Sequence, residues 1–268
     1  MQFVFCLFDR FSNLCLANAV EPLRAANTLS GKNLYSWHYT AMQRGYVRSS
    51  SDLSIAVEDD LWKLDLSQQA LVLVSSYDYR LHAASLASQR LRQHSSRCEQ
   101  ILGLDTGAWL LAQAGLLNGK QATIHWDELE AFAERFDQVE VQPQPWVRDG
   151  SVTTCAGGRA AFDMMLEVIG SQHGTMLRLD VEGLFQRDMR ATPQPEQRFS
   201  TKHHLASRAM TLMRESIEEP LTLEALANLL SISPKALERC FAQVLGTTPG
   251  QVYKHLRLSK AQSLAVTS

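Results

Sequence analysis

Gln100-Ile-Leu-Gly-Leu-Asp-Thr-Gly107 sets an apolar run against a glycine-flanked acid, and Ala108 to Ala114 then continues with helical character. An apolar run of this length, closed by Gly-x-Asp-x-Gly, reads as a strand that turns sharply into a helix. Thirty residues earlier, Ala70-Leu-Val-Leu-Val-Ser75 is a second continuous apolar run. Strands this apolar are buried on both faces, which is the mark of a parallel sheet sandwiched between helices.

Outward from this pair the same alternation holds. Strands are predicted at Phe3 to Phe8, Tyr35 to Met42, Ser54 to Val57 and Val152 to Cys155, with helices at Leu14 to Leu29 and Leu81 to Gln93. After Cys155, the apolar residues Phe162, Met165, Leu166 and Ile169 recur at helical spacing. The segment from Ala191 to Phe199 carries Pro193 and Pro195 without periodicity and reads as an interdomain linker. The expected division is therefore an α/β domain over 1–190, a linker over 191–201 and an all-helical domain over 202–268.

The totals agree with a two-domain globular chain of 268 residues, 45% hydrophobic and 20% charged. No apolar run is long enough for a membrane span, and Met1 to Phe11 lacks the basic start of a secretion signal. A cytoplasmic location without membrane attachment is expected. The five cysteines form no C-x-x-C pair and have no histidine at zinc spacing, so free thiols are expected, with no metal and no cofactor. From Lys202 onward, eight Lys/Arg stand against five Glu, a balance of +3; residues 1–201 carry 18 basic against 23 acidic, or −5. An acidic body joined to a mildly basic tail suits a sensor attached to a DNA reader.

In that tail, Thr222 and Ser233-Pro234 can start two short helices joined by the turn Leu229 to Ser233. This layout fits a helix-turn-helix whose second helix offers Ser233, Lys235, Ala236 and Arg239 to DNA. A plain helical subdomain that binds nothing has the same periodicity. In the first domain, the glycine-flanked Asp105 stands where a nucleophile elbow carries Ser or Cys, with His125 and Trp126 some twenty residues on. Asp105 can equally be a simple N-cap for the helix that follows. Glu21 and Arg24 can form an internal helix ion pair, and Thr154 with Gly157 and Gly158 makes a strand-to-helix turn that is either structural or an anion cradle.

Leu221 to Leu264 resembles the first half of the AraC/XylS-type DNA-binding domain. The resemblance rests on Ser233, Leu237, Arg239 and Phe241, the Gly246 to Pro249 turn, and Arg257, Leu258 and Ala261. In that family the fourth helix leads into a second helix-turn-helix, so the resemblance implies a truncation after the first. The first domain is similar to the PfpI-like sensor of GlxA-type regulators, with the class I glutamine amidotransferase-like, flavodoxin-like fold. It matches at Phe11-Ser12, Ala19 to Asn27, Asp105 to Ala108, Ala114 to Gly119, Ala122 to Trp126 and Thr154 to Gly158.

Enzymes of this fold carry Cys at the elbow and an acid on the first helix. Here Asp105 and Cys15 stand at those positions, which argues against cysteine chemistry and leaves the catalytic set empty. The resemblance implies a ligand-responsive transcription regulator, a homodimer, whose effector is a small amine, betaine or amino acid. Asp105, Thr106, His125, Trp126, Glu21 and Thr154 are the expected ligand residues. The rival readings are a PfpI-like hydrolase or isomerase with an accessory helical domain, and a truncated paralogue that does not bind DNA.

Overall fold

The computed structural model describes residues 1–85, 88–186 and 201–267. The chain divides into two compact units, Met1–Val168 and Ile169–Ser268. In the first, a six-stranded sheet is built from β1 (Gln2–Leu7), β2 (Ser36–Thr40), β5 (Ala70–Ser75), β6 (Gln100–Asp105), β9 (Trp146–Asp149) and β10 (Val152–Cys155). Its order is β2-β1-β5-β6-β10-β9, parallel throughout except for the antiparallel β9–β10 edge pair. This is the parallel sheet between helices expected from the alternating runs, in the doubly wound, flavodoxin-like arrangement that the resemblance implies. Every residue of β5 and β10 is buried, which is why neither run alternates with polar residues.

The helices of this unit are α1 (Asn13–Ser30), α2 (Tyr79–Ser85), α3 (Ser88–Ser95), α4 (Gly107–Gln113), α5 (Leu129–Arg135) and α6 (Arg159–His173), the last crossing the division. Ser12 caps α1, its side chain accepting from the Cys15 N–H, and Gly31 ends the helix at φ +65°. One sheet face packs Val4, Cys6, Leu71 and Leu73 against Ala108, Leu111 and Phe132. Period-two alternation turns Phe3, Phe5, Val72 and Val74 to the other face. Short pairs β3 (Gly45–Arg48) with β4 (Ser54–Val57), and β7 (Gln121–Ala122) with β8 (Glu140–Val141), lie outside the main sheet. All five cysteines are free thiols, and all but Cys98 are fully buried.

The second unit holds α7 (Thr175–Gln186), α8 (Thr201–Glu215), α9 (Leu223–Leu229), α10 (Pro234–Leu245) and α11 (Pro249–Thr267). Its core gathers Leu179 from α7 with Ala209, Met213, Leu226, Leu237, Phe241 and Val252. That packing corrects the expected boundary at residue 190. Helix α7 buries its apolar face among the C-terminal helices, although it precedes the prolines. The expected linker, but for Thr201, lies outside the described residues, as does Ser268. Among the described residues no helix is long and apolar enough to cross a membrane.

Candidate functional site

Asp105 closes β6 with φ +59°, a conformation that L residues other than Asn and Asp rarely adopt. Its flanking glycines make the turn possible. A Cβ on Gly107 would lie 2.5 Å from the Leu73 carbonyl oxygen, and one on Gly103 would lie 2.9 Å from the Ala108 nitrogen. Only glycine lets the helix start this close to the neighbouring strand. The N-cap of α4 is Thr106, without a side-chain cap, so Asp105 does not serve as the helix cap.

The Asp105 carboxylate is 6% exposed and draws neighbours from the ends of four strands. The Cys15 thiol, at the start of α1, donates to its Oδ2 at 3.5 Å, and the Gly158 N–H donates to Cys15 Sγ at 2.9 Å. The Ser76 side chain after β5 and the Thr106 N–H also hydrogen bond to it. Gly157, at φ +89°, comes so close that a Cβ would sit 3.0 Å from the Asp105 Cγ. Burial pushes the carboxyl above its ordinary range, opposed chiefly by the charge of His125 and then by these hydrogen bonds. Burial also pushes the thiols of Cys15 and Cys155 up to about 12, with the Asp105 charge adding to both. Both are protonated at neutral pH, so neither offers a thiolate.

The expected ligand residues divide. Asp105, Thr106 and His125 come together. Thr106 donates its hydroxyl to the Ser76 carbonyl at 2.8 Å, which pins the elbow to β5. His125 is half-buried, and its Nδ1 accepts from the Asp127 N–H at 3.4 Å. Thr154 is buried, with its hydroxyl accepting from the Thr123 N–H at 2.8 Å, a tie between β10 and the segment that carries His125. Trp126 is 71% exposed, its ring 5.4 Å from that of His125. Glu21 sits at the surface paired with Arg24 at 2.8 Å, the internal helix ion pair that its spacing allowed. Trp109, in the first turn of α4, packs into the core against Phe132 and Phe136.

Sequence reasoning missed Ser76 and Cys155. Ser76 merely follows an apolar run and has no local signature. Cys155 lay inside the Thr154 to Gly158 match but was read only as a free thiol; in the fold it accepts from the Asp105 and Gly157 N–H groups.

In the helical unit, Thr222 caps α9 by accepting from the Ala225 N–H at 3.1 Å. The turn passes through Ser231 at φ +57°, and the Ile232 N–H donates to the Ala227 carbonyl at 3.0 Å. Ser233 then caps α10 by accepting from the Ala236 N–H at 3.2 Å, with Pro234 in the first turn. Leu237, Cys240, Phe241 and Leu245 face inward, while Ser233, Lys235 and Arg239 are exposed and Ala236 is half-buried. Basic side chains exposed on the second helix of a helix-turn-helix, as Lys235 and Arg239 are, are what major-groove reading requires.

Residues 2–171 match the profile of the DJ-1/PfpI family. The HTH-type transcriptional regulator GbdR of Pseudomonas aeruginosa is 33% identical over 270 residues, covering 97% of this chain and 72% of that protein. The HTH-type transcriptional regulator GlxA of Rhizobium meliloti is 34% identical over 266 residues, covering 97% of this chain and 82% of its own length. Among solved structures, an AraC family transcriptional regulator from Pseudomonas putida superposes with a TM-score of 0.59 at 23% identity. It covers 69% of this chain and 98% of its own, a likeness of fold. Elbow, sheet order and helix-turn-helix thus meet in one known lineage: the chain belongs to the DJ-1/PfpI family, among its HTH-type transcriptional regulators.

Proposed function

We propose that the α/β unit senses a small cationic or zwitterionic metabolite, an amine, betaine or amino acid, without turning it over, and that α10 reads DNA. The observation that carries this reading is Asp105: a carboxylate held at the elbow by its backbone, sheltered from water, and flanked by thiols that stay protonated. A buried carboxylate disfavours its own charge, and an incoming ammonium relieves that penalty, so the site rewards a cation more than a neutral ligand. Cysteine chemistry would need a thiolate at this place, and burial together with the Asp105 charge opposes one.

The test is calorimetry of the intact chain against choline, glycine betaine, carnitine, arginine and simple amines. Losing a charge-assisted contact costs about 1.5–3 kcal/mol, so Asp105→Ala should weaken binding roughly ten-fold or more. A ligand indifferent to both Asp105→Ala and His125→Ala would remove the carboxylate from the role. Turnover that survives purification and vanishes in Asp105→Ala would favour the enzyme reading. On the DNA side, Arg239→Ala should reduce discrimination between operator and scrambled duplex by about 1–3 kcal/mol, measured by fluorescence anisotropy at fixed salt.

A further inference from the structure

The Arg80 guanidinium carbon lies 5.3 Å from the centroid of the Trp109 ring and 5.5 Å from that of Tyr79. Its Nε donates to the Tyr79 phenol oxygen at 2.9 Å and its Nη2 to Glu128 Oε2 at 3.2 Å. The two rings are 5.0 Å apart and tilted by 59°, and Trp109 is further braced by Phe136 at 5.2 Å. Tyr79 and Trp109 are each 7% exposed, whereas the Arg80 side chain is 63% exposed. Two buried aromatic rings, a phenol oxygen and a carboxylate therefore converge on one cation at the surface. These are the parts of a receptor for an organic cation, and one of the chain's own side chains fills it.

Rings and cation differ in how firmly they are held. The aromatics belong to the core of the α/β unit, so the cage walls do not depend on Arg80. The arginine stands mostly in water, and an exposed ion pair contributes little to stability, so the guanidinium can leave at small cost. The segments that carry the cage are also those that surround Asp105. Tyr79 and Arg80 follow Ser76, Trp109 lies one helical turn past Asp105, and Glu128 lies three residues past His125.

We propose that Tyr79, Trp109 and Glu128 form a binding site for a small organic cation, a guanidinium or methylated ammonium, which ligand enters by displacing Arg80. The site is separate from Asp105 and does not depend on a cation binding there. Displacement also parts Arg80 from Glu128, so ligand entry releases a strut between the segment after β5 and the one after β7. Binding at this place thereby reaches both sides of the elbow.

The experiment uses the intact chain titrated with methylguanidinium chloride and tetramethylammonium chloride, with sodium chloride at matched ionic strength as control. Arg80→Ala, or Arg80→Gln if the alanine variant does not fold, should bind one or both cations saturably. Its affinity should be about ten-fold or more above that of the parent chain, whose own guanidinium competes for the cage. The binding should be lost in Arg80→Ala/Glu128→Gln and kept in Arg80→Ala/Asp105→Asn. Equal affinity for the parent chain and the Arg80 variant would overturn the proposal, as would no saturable binding by a folded Arg80 variant. Binding that ignores Glu128→Gln but is lost with Asp105→Asn would place the cation at the elbow, overturning the cage while leaving the earlier reading intact.

Discussion

The elbow of the α/β unit and the recognition helix of the helical unit obey opposite rules. Asp105 is almost wholly buried, sits in the left-handed region, and is held by Cys15, ninety residues away in the chain. Arg239 stands exposed on a regular helix whose start is fixed by Ser233 bonding to Ala236, three residues on. The first site has its chemistry assembled by tertiary structure, at the expense of backbone strain and desolvation. The second carries its chemistry on a local motif that caps and packs itself. A binding carboxylate has to be desolvated to act strongly, whereas a DNA-reading side chain has to stay in water until DNA arrives.

This contrast is broken most forcefully at glycine. Gly107→Ala sets a methyl group 2.5 Å from a backbone oxygen of β5, an atom that cannot swing aside, so α4 must shift against the sheet. Overpacking of this kind costs about 1–3 kcal/mol or more. Gly250→Ala in α11 meets nothing within 4 Å and should be close to neutral. All five tryptophans lie between Trp37 and Trp146, so urea unfolding followed by tryptophan fluorescence reports Gly107→Ala within its own unit. Circular dichroism at 222 nm serves for Gly250→Ala. Equal destabilisation by the two would mean that the elbow is no tighter than an ordinary helix start.

A smaller effect, of opposite sign, is expected at Asp105 itself. Burial holds its native pKa above the ordinary value of 3.8. Below that value both folded and unfolded states are protonated and the carboxyl carries no penalty. As pH rises through the raised native value, the fold must ionise a sheltered group, and that part of the stability is lost. Asp105→Asn keeps the shape and tolerates the left-handed backbone, so it should raise the melting temperature near neutral pH. The gain should shrink steadily as pH falls toward 4. A gain independent of pH would mean that strain, and not charge, burdens this residue.

The difference between the two regions also explains what could be read in advance. β4, β5 and β10 lie where their residues suggest, because continuous apolar or β-branched runs bounded by turn residues have one stable use. Ser233-Pro234 announces the start of α10 for the same local reason. Strands β3, β7, β8 and β9 are short, and β9 is an edge strand opening on Trp146 among polar residues, so none of the four has a run to announce it. Helix α7 was missed because Pro193 and Pro195 drew the boundary past it, whereas Leu179 commits it to the helical core. At the site, Asp105 and His125 were legible from the glycine spacing and the family match. Ser76 and Cys155 were not, since only the register Ser75↔Asp105 and the β6–β10 pairing bring them to the elbow. Glu21 and Trp126 were drawn in by motif and residue type; in the fold Glu21 pairs with Arg24 and Trp126 stands largely exposed beside His125.

The smallest expected effect separates structure from recognition at the start of α10. Ser233 has two roles, accepting the Ala236 N–H and standing exposed at the end of the helix proposed to enter the groove. Ser233→Ala removes the cap and should cost about 1 kcal/mol, measured by loss of the 222 nm signal on urea titration. Ser233→Asp restores the cap, since a carboxylate accepts the same N–H and complements the positive helix end. Stability should therefore return to that of the parent chain. DNA binding should not return, because the new charge faces phosphates and removes part of the favourable electrostatic contribution that nonspecific affinity depends on. The aspartate variant should accordingly bind operator and scrambled duplex more weakly by a similar factor, while Ser233→Ala should lose little affinity at temperatures where it remains folded. If Ser233→Asp bound DNA as tightly as the parent chain, the N-terminal end of α10 would lie away from the backbone. DNA reading would then have to move to another face of the helical unit.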